Sequence, residues 1–145
     1  MESISGWREF EEQVRYILAA AAEYQPEFVM LPEIFTAQLL SFVGRRDVRT
    51  SVRQLDRYTS RYIELMQSIV REHGFHLIAG SHPTLRGDEL YNTSYLFTPN
   101  GEYFTQDKIH RTRWEKEKWD TTAGETLSVF ETVYGKVAIL ICYDI

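Results

Sequence analysis

The chain has 145 residues, 43% hydrophobic and 26% charged, with a net charge of −5; that length suffices for one domain with its own core, and the acid excess speaks against nucleic acid, which requires a basic patch. No apolar run approaches the roughly 18–20 residues that span a bilayer, so no membrane partner is expected. The acidic start "MESISGWREFEEQV" lacks a signal-peptide core and the single cysteine forms no internal disulfide, so a cytoplasmic setting is expected.

From Trp7 to Glu23, the residues Trp7, Phe10, Val14, Ile17, Leu18 and Ala21 recur at helical spacing and predict a helix with one buried face. Ser5 is its expected N-cap, and Glu9, Glu11 and Glu12 suit the positive end of the helix dipole. "FVML", from Phe28 to Leu31, is apolar throughout and predicts a short strand buried on both faces, with Glu33 just past it. A second helix is expected from about Thr50 to His73, on the stripe Val52, Leu55, Tyr58, Tyr62, Leu65, Met66, Ile69 and Val70, closed by Gly74. "FHLIAGS" reads as the next strand, and "LYNTSYLFT" and "EYFTQDK" around "PNG" as a hairpin. The stretch from His110 to about Thr126 is charged and aromatic without a clean period and is expected to be a loop; "LSVFET" and "KVAILIC" flank "VYG" as a further strand pair. Buried strands covered by helices make this an α/β layered domain. No strand precedes the first helix and no helix follows the last strand.

Three polar residues stand at carboxyl ends of strands, where open α/β sheets form their sites: Glu33, Lys108 and Cys142. A carboxylate, an amine and a thiol suffice for acyl transfer, as proton acceptor, oxyanion-stabilising cation and nucleophile. Each has a plainer reading. A lone cysteine on an apolar strand is usually an inert core residue, a glutamate after a strand a solvated one, and a lysine at a hairpin end an edge charge.

The wording around these residues carries more. "LPEIF", "QDKIH" and "ILICYDI" together resemble the nitrilase, or carbon–nitrogen hydrolase, superfamily, whose members carry a Glu–Lys–Cys triad in that chain order. The resemblance covers nearly the whole chain, and its wider wording is similar to a branch often fused to an N-acetyltransferase-like domain. It implies a four-layer α-β-β-α sandwich, of which residues 1–145 are expected to be one partial domain, incomplete at both ends: the first strand and the C-terminal half are absent.

The resemblance further implies a hydrolase of non-peptide carbon–nitrogen bonds, of amidase type, with Glu33 as general base, Lys108 as oxyanion-stabilising cation, Cys142 as nucleophile, and the backbone N–H of Tyr143 as a second oxyanion donor. Many members add a second glutamate; in "WEKEKWDTTAG" Glu117 is the better match and Glu115 the rival. A small-molecule amide or related substrate, no cofactor or metal, and a homo-oligomer follow from the same resemblance. His73, His76, His82 and His110 have no metal-ligand pattern and read as surface or packing residues. A nucleophilic Cys142 is expected to react with iodoacetamide faster than free cysteine at neutral pH. The alternatives are a non-catalytic binding or assembly module of the same fold, or an inactive fragment.

Pocket-lining roles for Tyr91, Asn92, Trp114 and Trp119, and carboxylate recognition by His110, Arg111 and Arg113, compete with packing and solvation. Arg45, Arg49, Arg53, Arg57 and Arg61 recur at every fourth residue as a basic stripe, either balanced by Asp47, Asp56 and Glu64 or facing an oligomer contact or acidic partner.

Overall fold

The computed structural model describes residues 4–43 and 47–145. A five-stranded sheet of order β1-β2-β3-β4, with β5 also paired to β3, carries helices on one face and a two-stranded sheet, β6-β7, on the other. The expected α/β layering is thus present, with helices, main sheet and a two-stranded second sheet as three successive layers.

Helix α1 (Trp7–Ala22) buries Trp7, Phe10, Val14 and Leu18, while Ile17 at the edge of that stripe is 49% exposed. The N-cap is Gly6, not Ser5; Ser5 sits one residue earlier and donates both its N–H, at 2.8 Å, and its hydroxyl, at 2.9 Å, to Glu9. Strand β1 (Phe28–Met30) runs parallel to β2 but is an edge strand with one neighbour. Its residues are therefore half-buried or exposed, with Met30 outward, rather than buried on both faces.

The expected second helix is broken into three pieces. They are α2 (Val48–Arg53), capped by Asp47 through Thr50 N–H at 3.0 Å, a 3-10 segment Gln54–Tyr58, and α3 (Thr59–His73). The break falls where Asp56 turns its carboxylate toward the sheet, accepting from Leu85 N–H at 2.8 Å and Thr59 Oγ1 at 3.1 Å. Helix α3 buries Tyr62, Leu65, Met66, Ile69 and Val70, the i, i+3, i+4, i+7, i+8 stripe of one helical face. The basic stripe is taken up internally: Arg49 pairs with Asp120, Arg53 donates to the Asp88 carbonyl, and Arg61 lies over the Trp7 ring at 5.1 Å. Arg57 is exposed, and Arg45 lies outside the described residues.

Strands β2 (His76–Arg86) and β3 (Glu89–Phe97) form an antiparallel hairpin, and β3 and β4 (Tyr103–Asp107) a second one around the expected turn. Alternation assigns the two faces. Leu77, Ala79, Tyr95 and Phe97 pack against α1 and α3, whereas Ile78 and Leu96 pack against Phe130, Ile139 and Ile141. The loop expected after Lys108 contains a single π-helical turn, Glu115–Trp119, and the two-residue β5 (Thr121–Thr122). Strands β6 (Val129–Thr132) and β7 (Gly135–Ala138) pair as expected, but "KVAILIC" is strand only as far as Ala138, because Val129, the first residue of β6, is the partner of Ala138. Ile139–Ile141 continue without a ladder into a 3-10 turn, Cys142–Asp144.

Behind the sheet, His82 is wholly buried, with Nδ1 2.7 Å from Thr36 Oγ1 and Nε2 2.9 Å from Thr59 Oγ1, its ring stacked on Tyr62. A neutral imidazole has one donor and one acceptor nitrogen, and two hydroxyls satisfy both. Burial pushes its pKa down to about 3. Between its ordinary value of 6.5 and about 3 the unfolded chain therefore binds the extra proton, so stability is lost as pH falls through that window. We expect the unfolding free energy to drop toward a slope of about 1.4 kcal/mol per pH unit on acidification from pH 6.5 to 5, measured by urea denaturation. His82→Gln should flatten that slope; an unchanged slope removes His82 as its source.

Candidate active site

The polar residues gather on the sheet face turned away from the helices. Alternation puts Asn92 and Ser94 on the same face of β3 as Leu96, and Gln106 and Lys108 in line with Phe104, whose ring meets Phe130 at 5.5 Å. Lys108 is tied to this position through its backbone: its N–H donates to Asn92 O at 2.9 Å, and its carbonyl accepts from Gly124 N–H at 2.8 Å. A Cβ on Gly124 would lie 2.7 Å from Asp107 O, so only glycine lets that strand come so close.

Glu33 reaches the same face from the end of β1. Pro32 crosses over the β2 irregularity between Ile78 and Ser81, where Gly80 has φ +69 and a Cβ would collide with the Pro32 carbonyl oxygen. Ser81 Oγ then accepts Ile34 N–H at 2.8 Å, holding Ile34 at φ +48, a left-handed conformation that is costly for a β-branched residue.

The Lys108 side chain is 2% exposed, with Nζ 2.7 Å from Glu33 Oε1 and 2.9 Å from Glu115 Oε2. Asn92 Nδ2 donates to both carboxylates, at 2.9 Å to Glu33 and 3.0 Å to Glu115. Burial works against the lysine charge, but hydrogen bonds and charge from Glu33 and Glu115 outweigh it and hold its pKa above the ordinary value. Burial also works against the Glu115 charge; hydrogen bonds from Lys108, Asn92 and Thr112 overturn that and hold the carboxyl below its ordinary value.

Glu115, not Glu117, is thus the second glutamate at the lysine, and the expectation for Glu117 is corrected. Thr112 and Glu115 form a reciprocal cap: Glu115 Oε2 accepts Thr112 N–H at 2.8 Å, and Thr112 Oγ1 accepts Glu115 N–H at 3.2 Å. That cap turns Glu115 inward, while two residues on Glu117 faces solvent and pairs with Arg113 at 2.7 Å. The spacing Thr112-x-x-Glu115 is a capping-box signal, visible in the sequence, that distinguishes the two.

Cys142 opens the final 3-10 turn with φ +50, and its thiol is exposed. Cys142 and Glu33 line the same cavity. The negative charge of Glu33, and then its hydrogen bond, push the thiol above its ordinary pKa; Lys108 and Tyr143 N–H offset part of this. A raised thiol pKa runs against alkylation faster than free cysteine at neutral pH, since the thiolate is the reactive form. Beside Glu33 and Cys142 lies a cavity of about 160 Å³, lined chiefly by Leu31, Ile78, Ile139 and Ile141, with Ser81 and Ser94 as its polar edge.

The other candidates are engaged elsewhere. Arg111 donates to Thr121 O, Arg113 pairs with Glu117, and Tyr91 stacks under Arg86 at 4.6 Å with its hydroxyl on Glu89. Trp114 is 54% exposed. Asp144, which nothing in its local sequence singles out, is buried against the segment after Lys108.

Glu115→Gln leaves a buried ammonium with one carboxylate fewer and is expected to cost about 3 kcal/mol in chemical denaturation. Glu117→Gln removes an exposed pair and should cost no more than about 1 kcal/mol. Equal losses in the two variants would contradict this assignment.

Residues 4–145 match the family model described as Carbon-nitrogen hydrolase. Over all 145 residues the chain is 38% identical to YhcX of Bacillus subtilis, named a probable hydrolase, and spans 28% of that protein. It is 29% identical over 138 residues to the omega-amidase NIT2 of Xenopus tropicalis, covering 89% of this chain and 47% of that one. The solved structure of Nit3 from Saccharomyces cerevisiae, a member of branch 10 of the nitrilase superfamily, superposes with a TM-score of 0.74 at 24% identity, over 92% of this chain and 49% of that one, a likeness of fold. The chain spans about half the length, or less, of these relatives. With the model matched from Ile4 to the last residue, the chain belongs to the carbon–nitrogen hydrolase family.

Proposed function

We propose that the protein hydrolyses the carbon–nitrogen bond of a small amide through Cys142 as nucleophile, Glu33 as general base and Lys108 as oxyanion-stabilising cation. The observation that carries this reading is the shared carboxylate: Glu33 lies 2.7 Å from Lys108 Nζ and lines one cavity with the Cys142 thiol, whose proton its negative charge helps to hold. Relatives named omega-amidases support an amide as the bond cleaved. The small, mainly apolar cavity beside the thiol supports a short acyl group.

The steps balance on these residues. As Cys142 Sγ attacks the carbonyl carbon, its proton passes to the Glu33 carboxylate. The oxyanion forms between the Lys108 ammonium and Tyr143 N–H, donors of a kind worth about 3–4 kcal/mol each at such sites. Glu33 returns the proton to the leaving nitrogen as the carbon–nitrogen bond breaks, and ammonia or an amine departs from a thioester. Water then attacks the thioester, giving its proton to Glu33, which passes it to the departing sulfur; the acid is released and the thiol restored. Glu115 neither donates nor accepts a proton. It holds Lys108 charged and, through Asn92, keeps the two carboxylates a fixed distance apart. A single free cysteine, with no disulfide in these 145 residues, fits a reducing compartment, and we place the protein in the cytoplasm on that ground.

Ammonia release from a panel of short primary amides tests this. Cys142→Ala should abolish turnover, and Glu33→Gln should lower it by about 10²–10⁴-fold, the range of a general base. The pH midpoint for iodoacetamide alkylation of Cys142 should lie above that of free cysteine and fall in Glu33→Gln, because the charge that raises it is gone. Wild-type turnover in Cys142→Ala rules the mechanism out.

A further inference from the structure

The Asp144 side chain is 2% exposed, and among the described residues neither lysine nor arginine pairs with it. Its partners are mostly backbone N–H groups. Oδ1 accepts from Ile109 at 3.1 Å and from His110 at 2.6 Å, and Oδ2 accepts from Ile141 at 3.1 Å. The exposed His110 ring adds Nδ1 at 3.3 Å from Oδ1. Ile109 and His110 follow Lys108 directly; Ile141 precedes Cys142. One carboxylate therefore ties the lysine's strand end to the cysteine's turn across 35 positions of sequence.

Ile139 and Ile141 are buried just before that turn, but little backbone bonding fixes the turn itself. The β6-β7 ladder stops at Ala138, and the turn's own backbone bonds are long, 3.2 Å from Asp144 N to Ile141 O and 3.4 Å from Ile145 N to Cys142 O. Cys142 is also held at φ +50, which persists only where the surroundings enforce it. Charge-assisted bonds from several backbone N–H groups are the strongest local restraint of this kind.

We propose that Asp144 is a positioning residue that fixes the Cys142 thiol against Glu33 and Lys108. This rests on the reading of Cys142 as the nucleophile. An Asn at this position keeps one acceptor oxygen, but its NH₂ faces either Ile141 N–H or the Ile109 and His110 pair, so one half of the link is lost.

The test compares Asp144→Asn and Asp144→Ser with Leu18→Ala, a buried truncation in α1 far from the site that lowers the melting temperature without touching it; Cys142→Ala is the control. Whichever Asp144 variant folds should lose about 10²-fold in kcat, the scale of a misplacement near 1 Å, with KM within about threefold of wild type. Its alkylation midpoint for Cys142 should fall toward that of free cysteine as the thiol leaves Glu33. Leu18→Ala should leave both quantities at wild-type values. An Asp144 variant with wild-type kcat and midpoint, in a protein whose Cys142→Ala form is inactive, overturns the positioning role alone. So does an equal shift in Leu18→Ala. Turnover persisting in Cys142→Ala overturns the nucleophile assignment, and the positioning role with it.

Discussion

A lysine ammonium sealed between two glutamates is the constraint to which the surrounding backbone answers. Moving such an ion out of water costs several kcal/mol even after relaxation, and removing either partner would leave that cost uncompensated. Two carboxylates for one ammonium overcompensate the charge, and Asn92 Nδ2 takes up the excess by donating to both. Three separate segments must therefore arrive together: the end of β1 with Glu33, the β3-β4 hairpin with Asn92 and Lys108, and the π-helical turn with Glu115. Gly80 and Gly124 are the two places where backbone lies so close to backbone that a side chain would keep these segments apart.

Strain collects at the same place. Of the four non-glycine residues at positive φ among the described residues, three lie here: Ile34 follows Glu33, Cys142 is the candidate nucleophile and Asp120 closes the turn that presents Glu115; Gln25, after α1, lies apart. Each of these conformations costs about 1–3 kcal/mol and persists only if neighbours over-determine it. The neighbours are identifiable: Ser81 Oγ for Ile34, Arg49 for Asp120, and the Asp144 carboxylate for the turn that begins at Cys142. The arginine stripe thus has an internal use at one of its positions, since Arg49 braces α2 against the loop that carries Glu115.

Much of this was legible in the sequence because apolar strands announce their own ends. Glu33 stands just past an apolar run and Lys108 just past β4, whereas Cys142 lies four residues beyond β7, at the end of an apolar run that leaves the ladder at Ala138. The helices were legible from their stripes, but their edges were not. Ile17 fits the period and still faces outward, and the helix expected through residues 50–73 breaks where Asp56 prefers the Leu85 N–H to solvent. Met30 looked buried because an edge strand and a central one have the same composition. Glu117 is the better match to the family wording, whereas the Thr112 cap, equally present in the sequence, points to Glu115. Asp144 carries no local signal, since its burial exists only once Ile109 and His110 lie against it.

The contacts that make the site span great lengths of chain: 75 positions from Glu33 to Lys108, 59 from Glu33 to Asn92, and 35 from Ile109 to Asp144. Loop-closure entropy must be met before contacts so remote contribute anything, whereas the helix turns and the β2-β3 hairpin close over short spans. The geometry of the candidate site is accordingly expected late in folding, once the segments with Glu33 and Cys142 dock on the sheet between them. A chain can own most of its secondary structure and no such site at all, so the Cys142 thiol meets Glu33 only in the folded molecule.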